Sequence, residues 1–218
     1  MRPKEKSSPL KDKPLRQAGQ SLDDEIFAKG FDGVVSFYFL ALMMGVLITA
    51  EWLWLFIDQP RSPWMFTVVG AIVIVYSIYR IRKGVKELEP LQLARRGERA
   101  VGQFLELFRE DGAKVVHDLV GEKFNVDHLL ISGRGVFTIE TKTYSKPQDG
   151  RIIFDGKNIL VDGFDTESKL LVQARAEAPW VRKLVRDSTG KSLEVFPIIV
   201  FPGWFVESTR EGKKAMLQ

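Results

Sequence analysis

The chain has 218 residues, no Cys, 45% hydrophobic residues and a net charge of +4. That length suits one ordinary domain plus a further segment, and the missing Cys excludes disulfides and thiolate metal sites. The charge excess sits early: Met1–Arg16 holds six basic against two acidic residues, whereas Leu91–Gln218 nearly balances at 20 against 18. Net charge therefore gives nucleic-acid binding little general support, and any basic groove must be local.

Residues 1–32 form a basic tail rich in Lys, Pro and Ser, expected to be disordered. Two apolar runs follow. Residues 33–57 carry one charge, Glu51, and residues 63–79 carry none. A bilayer-spanning helix needs roughly 20 apolar residues, within a range of about 17–25, so the pair reads as a transmembrane helical hairpin. Trp52, Trp54 and Trp64 gather near the Pro-rich turn between the runs, as an interfacial aromatic belt would. Basic residues before the first run and after the second (residues 81–94, a basic juxtamembrane linker) place both termini on the cytoplasmic side of the inner membrane. Glu51 is expected near the far interface.

The remainder reads as a cytoplasmic α/β domain over 95–207, with 208–218 as a tail. Residues 94–109 have the helical spacing Val101, Phe104, Leu105, Phe108. A strand over 113–119 precedes a hairpin over 126–144, and a second hairpin over 151–163 turns at Asp155-Gly156. Residues 167–187 are helical again, kinked or split at Pro179. A strand over 193–201 ends at Pro202-Gly203-Trp204, and no strand is read after it. Strands flanked by helices make a mixed α/β domain.

The first hairpin raises the chemical question, because Asp127, Glu140 and Lys142 interrupt an otherwise apolar stretch. With a loop of two or four residues, Ile131 faces Val136 and Asp127 faces Glu140; a three-residue loop would send the acids to opposite faces. Side chains alternate with period 2, so Glu140 and Lys142 share a face. Opposed carboxylates destabilise a sheet unless something neutralises them, and a hard divalent cation such as Mg²⁺ or Mn²⁺ does so. A nearby Lys can assist the attacking water or stabilise charge on phosphate. Glu98 and Gln173 also sit on apolar helix faces, where a polar group needs a partner. Arg95, Arg96 and Arg99 flank Glu98; a phosphate contact and a solvated face account for them equally well. His117 and His128 are the only histidines, and no zinc site is expected from them. Asp127 and His128, being adjacent, point apart and are not expected to form a catalytic pair.

The segments 97–105, 125–142, 150–163, 172–178 and 197–207 resemble, in that order, the NERD (nuclease-related) domain of the PD-(D/E)xK, restriction-endonuclease-like superfamily. The resemblance implies a restriction-endonuclease-like mixed sheet flanked by helices. It implies Asp127 and Glu140 as metal-binding acids, Lys142 as the site lysine, Glu98 as the acidic helix residue and Gln173 as the helical glutamine. It further implies Mg²⁺- or Mn²⁺-dependent hydrolysis of nucleic acid, DNA ahead of RNA, and the apolar hairpin sets that activity at a membrane surface. The alternative is an inactive, membrane-tethered module that binds nucleic acid or acts as a scaffold. No Asn-Pro precedes Gln173, as it often does in the family.

Overall fold

The computed structural model describes residues 15–54, 63–121, 124–147, 150–166 and 169–209. The chain divides into two compact units, 21–96 in one and 1–20 with 97–218 in the other. The first fourteen residues of the tail and the turn at 55–62 lie outside the described residues.

In the first unit, helix α1 (Gln20–Gly30) continues through a π-helical segment (Phe31–Val35) into α2 (Ser36–Trp54). The tail expected to be disordered is thus helical from Gln20. Helix α3 starts at Trp64 and runs unbroken to Glu106, with Pro90 inside it. The juxtamembrane stretch 81–94 is therefore helix, not linker. Its charged residues hide the period that marks an amphipathic helix. Two helices, Gln20–Trp54 and Trp64–Arg109, are long and apolar enough to cross a membrane by length and composition. They approach closely where neither carries a side chain: a Cβ on Gly84 would lie 2.9 Å from the Gly33 carbonyl oxygen. Trp52 Nε1 donates to Thr67 Oγ1 at 2.9 Å and packs edge-on against Trp64.

Among its described residues the second unit holds two four-stranded mixed sheets where a single one was expected. The larger has the order β1 (Lys114–Val120), β2 (Asn125–Ser132), β3 (Gly135–Thr141), β7 (Val195–Val200), with β7 parallel to β3 and the other pairings antiparallel. The smaller has the order β6 (Phe164–Thr166), β5 (Ile159–Val161), β4 (Ile152–Phe154), β8 (Val206–Ser208). It exists because the chain reverses twice more than the sequence suggests. Asp162 and Gly163 both have positive φ (51° and 80°), the two-residue turn that Asp-Gly favours, and β6 follows it. After Pro202-Gly203-Trp204, β8 pairs parallel with β4.

Helix α4 (Lys169–Thr189) covers one face of the larger sheet as a single helix, unsplit at Pro179. Ala178 and Val181 pack there on Val126, Leu129, Val136 and Val195. On the other face the last turns of α3 set Val101 and Leu105 against Val115 and Ile139. Ile152, Ile159 and Phe201 form a third cluster under the smaller sheet. Two helices clamping one sheet leave a seam where the strand ends, the α3 turns and α4 meet, and the polar residues collect in it.

Candidate active site

The β2–β3 register is the one a two-residue Gly133-Arg134 loop imposes: Ser132↔Gly135, Ile131↔Val136, His128↔Ile139. One step further would set Asp127 level with Glu140, but the ladder stops first. Thr141 N–H donates instead to Asp127 Oδ2 at 2.7 Å. The irregularity has a partner in β1, where Asp118 adopts φ 49°. Val116 and Leu119, three residues apart, both face the α4 side, as do Leu129 and Val126. A regular strand would place such residues on opposite faces. The strands thus change face at Asp118 and Asp127, which lets the Asp127 carboxylate reach across to β3.

Glu140, only 2% exposed, is held by two donors on one oxygen: Lys142 Nζ at 2.6 Å and Gln173 Nε2 at 2.8 Å both meet Oε1. Its Oε2 is buried. Gln173 Nε2 also donates to Glu177 Oε1 at 3.1 Å, and the Glu177 carboxyl lies within hydrogen-bonding reach of Glu140. Burial, then the charges of Glu140 and Glu98, push Asp127 up to about 9. Burial, then Asp118 and Glu140, raise Glu98 to about 7. Burial and the adjacent Glu140 raise Glu177 to about 8. Burial alone would lower Lys142, but the charge of Glu140 and its hydrogen bond outweigh that and hold the ammonium above its ordinary value.

The structure therefore brings Asp127, Glu140, Lys142, Gln173 and Glu98 into one electrostatic neighbourhood. The arginines fare differently. Arg95 donates to Asp23 at 2.9 Å and belongs with Arg96 to the first unit. Arg96 and Arg99 are exposed. Two acids escaped the sequence reading. Glu177 lies one helical turn beyond Gln173, a spacing that could have found it. Asp118, 4% exposed and paired with Arg16 at 2.6 Å, depends on its positive φ and carried no signal in the sequence. On the α3 side, His117 and His128 meet at 2.9 Å between their Nδ1 atoms, and His117 Nε2 meets Glu106 Oε1 at 2.7 Å. Burial and then His117 push His128 down to about 4.

Among the described residues, no three His, Cys, Asp or Glu side chains converge to hold a metal ion. Mg²⁺ needs fewer: it commonly rests on one or two carboxylates and keeps several waters. Two hard oxygen donors that repel one another fit such an ion.

Gly97 brings α3 to this seam. A Cβ there would collide with Thr143 Oγ1 and lie 3.0 Å from Thr143 Cβ, one residue past Lys142. Gly97→Ala should push α3 off the strand, displace Glu98, and cost about 1–3 kcal/mol as overpacking does. Thermal unfolding of the purified chain checks this, and an unchanged midpoint would refute the close approach.

The nuclease-related domain family, NERD, matches residues 93–202, half of the chain. No curated protein and no solved structure matches.

Proposed function

The chain belongs to the nuclease-related domain (NERD) family, and on that premise we propose that it is a membrane-anchored, metal-dependent nuclease of the PD-(D/E)xK type. The observation that carries the reading is the buried Glu140 carboxylate, whose Oε1 accepts from both Lys142 and Gln173 and whose charge bears on the buried Asp127. Asp127 and Glu140 would hold Mg²⁺ or Mn²⁺, which supplies Lewis acidity to the scissile phosphate and lowers the pKa of a bound water. Lys142, kept protonated by Glu140, stabilises the charge that develops on the phosphate and is no proton acceptor. Glu98, poised near neutrality, can take and release a proton. Gln173 holds Glu140 in place.

The exposed apolar side chains of the first unit support the anchor. Phe39, Leu42, Val46, Ile72 and Val75 are all more than half exposed, which suits a lipid-facing surface better than a soluble core. The basic flanks of residues 33–79 support a domain on the cytoplasmic side, with DNA proposed ahead of RNA as the substrate.

The test is direct. The full chain in detergent, given Mg²⁺ or Mn²⁺, should cleave DNA or RNA, and Asp127→Ala or Lys142→Ala should abolish cleavage. Cleavage untouched by both changes would refute the site. The nearly balanced charge of residues 91–218 supports a second reading, a tethered module that binds without turnover. Salt-sensitive binding with no cleavage in any divalent ion would select it.

A further inference from the structure

Between Trp64 and Pro90, helix α3 has two unlike sides. Gly70, Ser77 and Gly84 recur at every seventh position and are buried. The two glycines lie against the preceding helix: a Cβ on Gly70 would be 2.6 Å from Ile48 Cδ1, and one on Gly84 2.9 Å from the Gly33 carbonyl oxygen. At 3.6 residues per turn, the opposite side carries Val68, Ile72, Val75 and Tyr79 within an arc of about 100°. All four are more than half exposed. The same arc continues into Arg82, Lys83 and Lys86, which are exposed as well. One side of one helix thus turns from apolar to cationic just past Tyr79.

The level of that change along the axis decides what the cations meet. At a rise of 1.5 Å per residue, Arg82 lies about 27 Å beyond Trp64 and Lys86 about 33 Å. A bilayer's hydrocarbon core is about 30 Å thick, with about 5–8 Å of headgroup on each side. With Trp64 in the aromatic belt at one boundary, the three cations straddle the other, level with the lipid phosphates. Arg80 is used differently. Its guanidinium packs 4.5 Å from the Phe37 ring centroid and donates to the Tyr76 hydroxyl at 3.2 Å. Glu87 reaches Lys83 only at 3.9 Å, an exposed pair that contributes little. A nucleic acid would meet the cations alone, whereas a phospholipid matches the whole arc. A zwitterionic lipid brings its own cation; an anionic one leaves its phosphate charge to the protein.

We propose that this side of α3 is a binding site for an anionic phospholipid, its acyl chains against Val68, Ile72, Val75 and Tyr79 and its headgroup phosphate on Arg82, Lys83 and Lys86. The site rests on the anchor reading and is independent of the nuclease chemistry.

The full chain, reconstituted in phosphatidylcholine vesicles, tests it by electron paramagnetic resonance with spin-labelled phosphatidylglycerol and, separately, spin-labelled phosphatidylcholine. The native chain should hold the phosphatidylglycerol label about fivefold or more tightly. Salt at about 1 M should remove most of that preference. Arg82→Gln/Lys83→Gln/Lys86→Gln should bring the two labels level. Lys114→Gln/Lys157→Gln/Lys191→Gln removes the same charge from the second unit and should keep the preference.

A native chain that stays in the vesicles and holds both labels equally would overturn the site alone. Release of a bound oligonucleotide by the first triple change but not the second would then assign the cations to nucleic acid. A loss in the second triple as large as in the first would reduce the preference to net charge and overturn the site too. Vesicles that float free of the chain after an alkaline wash would overturn the anchor reading and the site with it.

Discussion

Asp127→Asn is expected to abolish cleavage while making the cation-free protein more stable in mild alkali. Burial raises the Asp127 carboxyl first, and the charges of Glu140 and Glu98 raise it further, to about 9. In the unfolded chain the same group titrates near about 3.9. Between those values the folded state binds a proton that the unfolded state lacks, so stability falls as pH rises. The contribution is fully present below about pH 4 and is lost as pH climbs through about 9, at up to about 1.4 kcal/mol per pH unit for this one group. Asn does not titrate. The variant should match the native protein near pH 4 and exceed it at pH 8, by a few degrees in Tm or more. Mg²⁺ should reverse the order. Binding requires the carboxylates to be deprotonated, so Mg²⁺ should raise the native Tm increasingly with pH and leave the variant unmoved. Parallel pH profiles for the two proteins would show that Asp127 bears no such strain, and cleavage retained by Asn would remove it from the metal set.

That conflict between charges is also what made the site readable. Three charged residues on an apolar hairpin have no place in a simple sheet, and Gln173 on an apolar helix stripe has none either. Asp127, Glu140, Lys142 and Gln173 could therefore be found from local pattern alone, and the structure brings them together. What local pattern could not show is the break in the ladder at Asp127. It coincides with a positive φ at Asp118 on the neighbouring strand. Arg95 illustrates the same limit, since its partner Asp23 is 72 residues away and a charge near an acid looks equally apt for phosphate. The unbroken helix α3 was hidden for another reason. Over residues 81–94 the sequence has the charge of a linker and Pro90 besides, and a helix there carries no apolar period of its own. The smaller sheet rests on three-residue strands, too short for alternation to register, and on β8 after the Pro-Gly-Trp break.

Lys142→Met is the change expected to damage both stability and chemistry. It leaves Glu140 buried without its cation, and breaking one side of a buried pair costs about 3–5 kcal/mol. The ammonium is 25% exposed, so screening brings the expected loss nearer about 2–4 kcal/mol. Glu140→Gln should cost less. Its amide oxygen can still accept from Lys142 and Gln173, while its nitrogen, placed where Oε2 was, can donate to the neighbouring acids. The double variant Lys142→Met/Glu140→Gln should then be more stable than Lys142→Met alone, a non-additivity that the hydrogen-bonded pair requires. Cleavage should be absent from all three, since stability is recovered by removing the charges the reaction needs. A double variant no more stable than Lys142→Met would mean that the buried Glu140 charge does not govern this site. Recovered cleavage in the double variant would mean that Lys142 and Glu140 serve the fold and leave the chemistry to other residues.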